Sequence, residues 1–255
     1  MLLTIGLKGS KSGTITDVGW SRLRSYTKRV KELHEVCVWH DMAGGGVRPL
    51  QPLLLERCGS IPLFPRLQLL EFLSPSTDTA KLIPYLSPKS LKSITVTFNG
   101  DGHQHGRDSE DGHIFDELLE MLCGSFHDLK ALYLRVLNSG SPFSLQKRHV
   151  HELSRLSRLQ CFLANMKLET GAWSQIGSLA SSLQHLDVVL AGRVKMPTSY
   201  ALVFPGLLSL NVHGHINALS IFLQGLESPN LNSFSFEIPY GEEAPSPESS
   251  WTCVV

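Results

Sequence analysis

The stretch FPGLLSLNVHGHI, residues 204–216, contains the pattern that decides the fold. Apolar residues occupy positions one, four and six of a short unit that begins at Leu207, and most residues between them are small or polar. The same spacing occurs 24 residues earlier in SLQHLDVVL (182–190) and 24 residues later in NLNSFSFEI (230–238). Three patterns in phase indicate an internal repeat, so we followed the period along the whole chain.

The template Leu-x-x-Leu-x-apolar, with other apolar residues allowed at position four, has eight matches. They are Leu33-Val36-Val38, Leu67-Leu70-Phe72, Leu91-Ile94-Val96, Leu129-Leu132-Leu134, Leu159-Phe162-Ala164, Leu183-Leu186-Val188, Leu207-Leu210-Val212 and Leu231-Phe234-Phe236. Their starts are separated by 34, 24, 38, 30, 24, 24 and 24 residues. The alternation of the last two apolar positions with other residues predicts a short strand with one buried face.

Helical spacing appears between the matches. The residues concerned are Phe115, Leu118, Leu119 and Leu122; Val150, Leu153 and Leu156; Ile176, Leu179 and Ala180; and Leu219, Phe222 and Leu223. One unit of strand, turn and helix cannot bury its own apolar side, whereas a stack of units can. We therefore predict an α/β solenoid of about eight irregular repeats, with a parallel sheet on its concave face and helices on its convex face.

Two other folds could produce some of these triplets: leucine-rich amphipathic helices, or an ordinary alternating α/β sheet. The steady 24-residue step argues against both. The chain also lacks the glycine-rich turns G-x-G-x-x-G and G-x-x-x-x-G-K-S/T at a first strand end.

Composition limits the classes of partner. Lys plus Arg equals Asp plus Glu at 23 each, so we expect binding neither to nucleic acid nor to a membrane. No apolar run approaches the roughly 20 residues of a membrane span, and the start does not read as a signal peptide. The five cysteines are odd in number and form no C-x-x-C pair, which favours a cytoplasmic or nuclear location and small buried thiols.

These residues resemble the leucine-rich repeat family in an irregular form. The family's Asn or Cys, eight positions after the first Leu, is matched only by Asn99, so the asparagine ladder is missing. Variable spacing without the ladder is similar to the repeats that follow the F-box in proteins of mushroom-forming (basidiomycete) fungi. The segment DVGWSRLRSYTKRVKELHEVCV, residues 17–38, looks like that family's first helix and strand, and LFPRLQLL and VFPGLLSL resemble its strand starts.

Within that segment Trp20, Leu23, Thr27 and Val30 lie on one helical face, with Asp17 as the expected N-cap. The F-box itself, a module of about 45 residues in the family, is not seen, and 16 residues before Asp17 cannot hold it. The resemblance therefore implies only the binding half of a ubiquitin-ligase receptor. A ligase adaptor would be a partner only if an F-box precedes this segment.

We accordingly expect three regions: a disordered segment at 1–16, the repeat domain with its first helix at 17–238, and a disordered or truncated tail at 239–255. The expected function is non-enzymatic recognition of a protein substrate by a monomer. Two alternatives are a free-standing repeat scaffold without a ubiquitin role and a small hydrolase or transferase.

Residues 99–113 collect His103, His105 and His113 with acidic residues, in the Gly-, Asp- and Ser-rich composition of a flexible loop. We interpret them as a solvated loop rather than a metal site, with a helix beginning near Phe115. His149 and His151 are two apart on a predicted helix and cannot clasp one ion. No catalytic motif appears, so we assign no catalytic residue, metal or cofactor.

Strand geometry then predicts the binding surface. If positions one, four and six face the core, positions three, five and seven form columns on the concave face. Among these columns we select side chains with both an apolar body and a polar tip, together with polar groups that could read a partner. The predicted protein-binding residues are Trp39, Glu71, Tyr133, Arg135, Asn165, His185, Asp187, Asn211 and His213.

Overall fold

The structure, a computed structural model, describes residues 16–36, 56–59, 61–73, 77–98, 108–137, 144–179, 181–191, 201–238 and 250–254. The helices are α1 (Asp17–Thr27), α2 (Thr77–Leu86), α3 (Asp108–Ser125), α4 (Lys147–Leu153), α5 (Thr170–Ile176) and α6 (Ile216–Gln224). The strands are β1 (Glu32–Val36), β2 (Leu69–Leu73), β3 (Ser93–Phe98), β4 (Ala131–Val136), β5 (Ser144–Leu145), β6 (Cys161–Leu168), β7 (His185–Leu190), β8 (Leu202–Val203), β9 (Ser209–His213), β10 (Leu226–Glu227), β11 (Ser233–Glu237) and β12 (Ser250–Val254).

The main sheet has the order β1-β2-β3-β4-β6-β7-β9-β11-β12, with β5 paired to β6, and β8 and β10 form a separate parallel pair. All pairings in the main sheet are parallel except the one between β11 and β12. The described strands do not close into a barrel, since β1 and β12 are at opposite ends of this order. The prediction of an α/β fold with a mostly parallel sheet is therefore confirmed.

The core lies between one face of the sheet and the helices. From the unit beginning at Leu67 to the unit beginning at Leu207, no residue at position one, four or six is more than 2% exposed. The predicted helix residues Phe115, Leu118, Leu119 and Leu122 are buried as well. The expectation for Leu223 was wrong: it is 36% exposed, because Ala218 and Leu219 form the buried side of α6 together with Phe222.

A row of backbone carbonyl groups joins neighbouring units at position two, the residue after the first apolar one. Each carbonyl accepts two hydrogen bonds, from the N–H groups at positions two and three of the next unit, with N···O distances of 2.7–3.1 Å. The carbonyls belong to Lys31, Gln68, Lys92, Lys130, Gln160, Gln184 and Leu208. Because these bonds use main-chain atoms alone, the side chains at position two are not needed to hold the strands in register.

Helix α1 covers the β1 end of the core. Trp20, Leu23 and Val30 pack against the core, and Thr27 is buried, as the helical spacing predicted. The expected N-cap was wrong by one residue: the Thr16 hydroxyl oxygen accepts the hydrogen bond from Gly19 N–H at 3.1 Å. Asp17 instead forms an ion pair with Arg57.

The last parallel strand is packed less completely than the others. Leu231, Phe234 and Phe236 are only partly buried, although they repeat the same apolar spacing. Residues 250–254, which we expected in a disordered tail, form β12 and pair antiparallel with β11. The prediction for the tail therefore fails over these five residues. Their backbone groups pair with β11 along the edge that faces away from β9.

Two of the five cysteines have described, fully enclosed side chains. Cys58 and Cys123 are buried and free, and burial raises the pKa of Cys123 to about 12. These two thiols therefore stay protonated and pack as small apolar groups, as expected. No helix in the described part of the chain is long and apolar enough to cross a bilayer.

Candidate functional site

The sheet face that carries positions three, five and seven, opposite the buried positions, is the outer face. Position five is filled, strand by strand and in register, by Glu71, Thr95, Tyr133, Leu163, Asp187, Asn211 and Ser235. At position seven, Leu73, Thr97 and Arg135 are adjacent on β2, β3 and β4, and Val189, His213 and Glu237 are adjacent on β7, β9 and β11. The position-five row is thus continuous from β2 to β11, whereas the position-seven row is interrupted at β6.

On β3 the outer face is more buried than the alternation of positions predicted. Thr95 and Thr97 are only 9% and 6% exposed. Both are short side chains with longer neighbours in register on each side, such as Glu71 and Tyr133 beside Thr95. The two threonines therefore lie at the bottom of a shallow depression between longer side chains.

The register predicted for the first unit, with Leu33 at position one, was wrong. Leu33 pairs with Leu70, a position-four residue, and a bulge follows before Val36 pairs with Phe72. Val30 therefore holds position one. Its N–H donates to the carbonyl group three residues earlier, Thr27 O, and the N–H of Leu67 donates in the same way to Phe64 O. The predicted match Leu33-Val36-Val38 had assigned Leu33 to position one and does not follow this pairing. Trp39 itself lies outside the described residues.

The corrected register places His34, a residue that the sequence analysis missed, beside Glu71. The Nδ1 atom of His34 is 3.1 Å from Glu71 Oε2, and its Nε2 atom is 3.4 Å from Glu32 Oε2. Hydrogen bonding to Glu71, and then to Glu32, raises the pKa of His34. The Val30-x-x-Leu33 spacing was the available signal for this register.

Tyr133 and Arg135 lie two residues apart on β4 and point to the outer face. The Arg135 guanidinium carbon is 6.0 Å from the centroid of the Tyr133 ring, within the range of a cation–π contact. The Tyr133 hydroxyl is 3.6 Å from the Cys161 sulfur on β6. This contact, together with burial, raises the pKa of Tyr133 to about 12, so the phenol stays protonated and able to donate at neutral pH.

Asn165 has a different environment from the other candidates. It lies in a bulge of β6, where the pairing with β7 passes from Ala164 directly to Lys167. Its side-chain amide accepts from Val136 N–H at 2.6 Å and donates to Val136 C=O at 2.9 Å. Asn165 therefore extends the link between β4 and β6 beyond the last paired residue, and its amide is already occupied.

His185 is exposed at the start of β7, whereas the other polar candidates near it form a hydrogen-bonded cluster, the polar network. The network consists of Asp187 on β7, Asn211 and His213 on β9, and Ser235 and Glu237 on β11. Asn211 donates to Asp187 Oδ2 at 2.9 Å, and the Ser235 hydroxyl donates to Asn211 Oδ1 at 2.6 Å. The network thus connects three adjacent strands on the outer face.

His213 lies between the two carboxylates of the polar network. Its Nε2 atom is 3.2 Å from Asp187 Oδ1, and its Nδ1 atom is 3.0 Å from Glu237 Oε2. The hydrogen bond to Asp187 is the main cause that raises the pKa of His213, and burial, which lowers it, is the weaker effect. The two acidic groups thus favour the charged form of the imidazole.

His149, which the sequence places on a predicted helix, has a buried environment that its spacing does not indicate. His149 is buried, its Nε2 atom is 2.6 Å from Asp116 Oδ1, and its Nδ1 atom accepts from Gln146 N–H at 3.0 Å. The edge of the Phe115 ring packs against the imidazole at 4.9 Å between centroids. These contacts join α3 to the start of α4, a structural role on the helix side of the molecule.

The histidine-rich stretch is only partly visible. Residues 99–107 lie outside the described residues, and α3 begins at Asp108, seven residues before the expected start near Phe115. The loop interpretation was therefore wrong for 108–113. Among the described residues, no group of three or more His, Cys, Asp or Glu is placed to hold a metal ion.

Comparison with known proteins does not add to this description: no protein-family model matches the chain, and no curated protein shows significant similarity to it. The site is thus defined by its own geometry, a largely polar sheet face that includes Tyr133 and whose register is interrupted in β1 and β6.

Proposed function

We propose that the chain is a leucine-rich-repeat solenoid that acts as a non-enzymatic protein-interaction module, the substrate-recognition half of an F-box-type ubiquitin-ligase receptor. One observation carries the proposal. The parallel strands β1 to β4, β6, β7, β9 and β11 follow one another across the sheet in chain order, with the apolar positions of each unit beside those of the next. This arrangement supports a stack of similar units whose outer face is a continuous binding surface.

Tyr133 and Arg135 are the proposed anchors on this surface. Tyr and Arg are enriched among residues that dominate binding energies, because each combines a large contact area with hydrogen-bonding groups. Tyr133 is half-buried against its neighbours, so little side-chain freedom is lost when a partner covers it. His185, Asp187, Asn211 and His213, on β7 and β9 of the same face, would bind polar groups of the partner.

Affinity capture with the intact chain tests the surface, by comparing Tyr133→Ala/Arg135→Ala with Lys147→Ala/Arg155→Ala on the helix side. Loss of a true anchor costs about 2 kcal/mol, or about thirtyfold in affinity. We expect the outer-face variant to lose at least this much for its specific partner and the control variant to bind like the parent. If the outer-face variant stays folded and captures every partner undiminished, the assignment of this surface is wrong.

The ubiquitin connection has its own test. An in-frame F-box encoded upstream of Met1, with capture of the ligase adaptor by the longer product, would support it. Without either, the free-standing scaffold would be the remaining binding function. Turnover of a broad substrate panel that one point change abolishes would instead favour an enzyme.

A further inference from the structure

Four cations, the basic edge, lie close together where the first strands begin. They are Lys31, Arg66, Lys92 and Lys130. Lys31, Lys92 and Lys130 occupy position two in their units, and the carbonyl row fixes their backbones, since Gln68 N donates to Lys31 O, Lys92 N to Gln68 O and Lys130 N to Lys92 O. At about 4.8 Å per strand, the three lysines span about 14 Å.

A small cleft opens among these residues. It has a volume of about 230 Å³ and is lined by Lys31, Arg66, Leu67, Gln68, Ser90 and Lys92. Three of its lining residues are cations, Leu67 is its apolar residue, and none is acidic. The cleft is therefore a recess with three cations around it and no acid in its lining.

The acidic groups nearest in sequence and register are already engaged. Glu32 and Glu71 both face His34, at 3.4 and 3.1 Å, and Asp128 forms an ion pair with Arg158 at 2.6 Å. Within the described part of the chain, none of the four basic-edge side chains forms an ion pair or a hydrogen bond. An equal total of acidic and basic residues thus leaves uncompensated positive charge at this edge.

We propose that the basic edge binds an acidic, extended segment of the partner protein, with carboxylate side chains seated among Lys31, Arg66 and Lys92. This inference rests on the proposed function and names the chemistry of its partner. Alternate side chains of an extended peptide are about 7 Å apart, so two or three carboxylates match the length of the row. The amide of Gln68 is available to bind the peptide backbone between them.

A protein ligand fits this edge better than a nucleic acid does. No aromatic residue lines the cleft, so bases would find no stacking platform. Glu32 and Glu71 lie at positions three and five of the same sheet, beside the row of position two. A narrow peptide can follow position two without crossing them.

Fluorescence anisotropy with the full chain tests the proposal, using fluorescein-labelled hexaglutamate, hexaglutamine and a six-nucleotide oligo-dT as probes. We expect hexaglutamate to bind with an affinity that falls as salt is raised, and the other two probes to bind at least tenfold more weakly. Lys31→Gln/Lys92→Gln should reduce hexaglutamate affinity about tenfold or more. Lys147→Gln/Arg155→Gln removes the same charge on the helix side and should leave the affinity within about twofold.

Three results would overturn the inference: no binding of hexaglutamate, equal losses in the two double variants, or oligo-dT binding as tight as hexaglutamate. Thermal melts of both variants show whether a loss reflects unfolding. The proposed function fails separately, when Tyr133→Ala/Arg135→Ala captures every partner undiminished. Loss of hexaglutamate binding with an intact effect of Tyr133 and Arg135 would reject the acidic ligand and leave the interaction surface standing.

Discussion

The strands in the middle of the sheet and the last parallel strand have the same apolar spacing but different burial. Leu210 and Val212 on β9 are 1% and 0% exposed, whereas Phe234 and Phe236 on β11 remain partly exposed. The middle strands have a parallel neighbour with its own unit on both sides, and β11 has one only toward β9. The same apolar spacing thus gives a strand in both places, but the neighbours of the strand determine how much of it is buried.

The largest expected effect comes from substitutions in the core beneath the well-packed strands β7 and β9. Leu186→Asp and Leu210→Asp should each unfold the chain, because a buried carboxylate without a partner costs several kcal/mol. Phe234→Asp should cost clearly less, since its side chain can reach water. Circular dichroism shows whether the two leucine variants fold, and urea unfolding gives the free energy of unfolding of Phe234→Asp and of the parent. Parent-like melting of Leu186→Asp and Leu210→Asp would mean that the inferred register is wrong.

A second comparison concerns the turns that precede the middle strands. A Cβ atom at Gly206 would be 2.9 Å from Ser181 O and 3.3 Å from Leu183 O, so the two turns would have to separate. We expect Gly206→Ala to reduce the free energy of unfolding by about 1–3 kcal/mol. Gly171→Ala, within α5, is the control for added volume, because a Cβ there meets nothing within 4 Å, and the higher helix propensity of Ala should leave it at least as stable as the parent. Equal stabilities of the two variants would show that the turns are not in close contact.

Serine hydroxyls connect successive turns in both regions and should have a smaller effect. The Ser182 hydroxyl has one hydrogen to donate, and its Oγ is 2.9 Å from Leu159 O and 3.1 Å from Ser157 O. Ser228 Oγ is 3.2 Å from Phe204 O and 3.4 Å from Leu207 O. Ser182→Ala should cost about 1 kcal/mol, the usual net value of one hydrogen bond. Ser228→Ala, with longer contacts, should cost less in the same unfolding experiment, and the reverse order would contradict the comparison.

The smallest expected effect is a dependence of the free energy of unfolding on pH, which comes from the strands at the β11 end of the sheet. The folded-state pKa of His213 is raised above 6.5, so its charged form stabilises the contacts among β7, β9 and β11. This contribution is fully present below pH 6.5 and is lost as pH rises through the raised pKa. We expect a loss of about 1 kcal/mol or less in the parent.

His213→Gln should remove this part of the pH dependence while His34, the other histidine with a raised pKa among the described residues, is unchanged. Unfolding free energies measured at pH values from 6 to 9 give the two slopes. Identical slopes in parent and variant would show that His213 does not contribute.

The spacing of apolar residues predicted the strands and the buried face of the middle units because each of these side chains has one possible environment, the core. The first unit was misplaced because a one-residue bulge separates Leu33 from Val36, and a template of fixed spacing cannot include a bulge. The start of α3 was missed for a related reason. The Gly-, Asp- and Ser-rich composition of 108–113 favours a loop locally, whereas the chain there forms the first turns of a helix.

The sequence was enough to predict which candidate residues share a face of the sheet, but not which of their polar groups are already hydrogen-bonded to neighbouring strands. Strand alternation is enough to place Tyr133, Arg135 and Asp187 on one face. Whether a polar side chain on that face is free depends on neighbours from other strands, as the Asn165 amide bonded to Val136 illustrates. Likewise, the basic edge becomes visible only when the register shows that the nearby acids are engaged with His34 and Arg158.

The carbonyl row at position two separates the fold from the chemistry of the surface. Since the main chain alone connects one unit to the next there, Lys92 or Gln160 can be exchanged during evolution with little cost to folding. Descendants of this sequence could therefore acquire a new specificity along the edge by drift at successive units, one substitution at a time, while the scaffold stays the same.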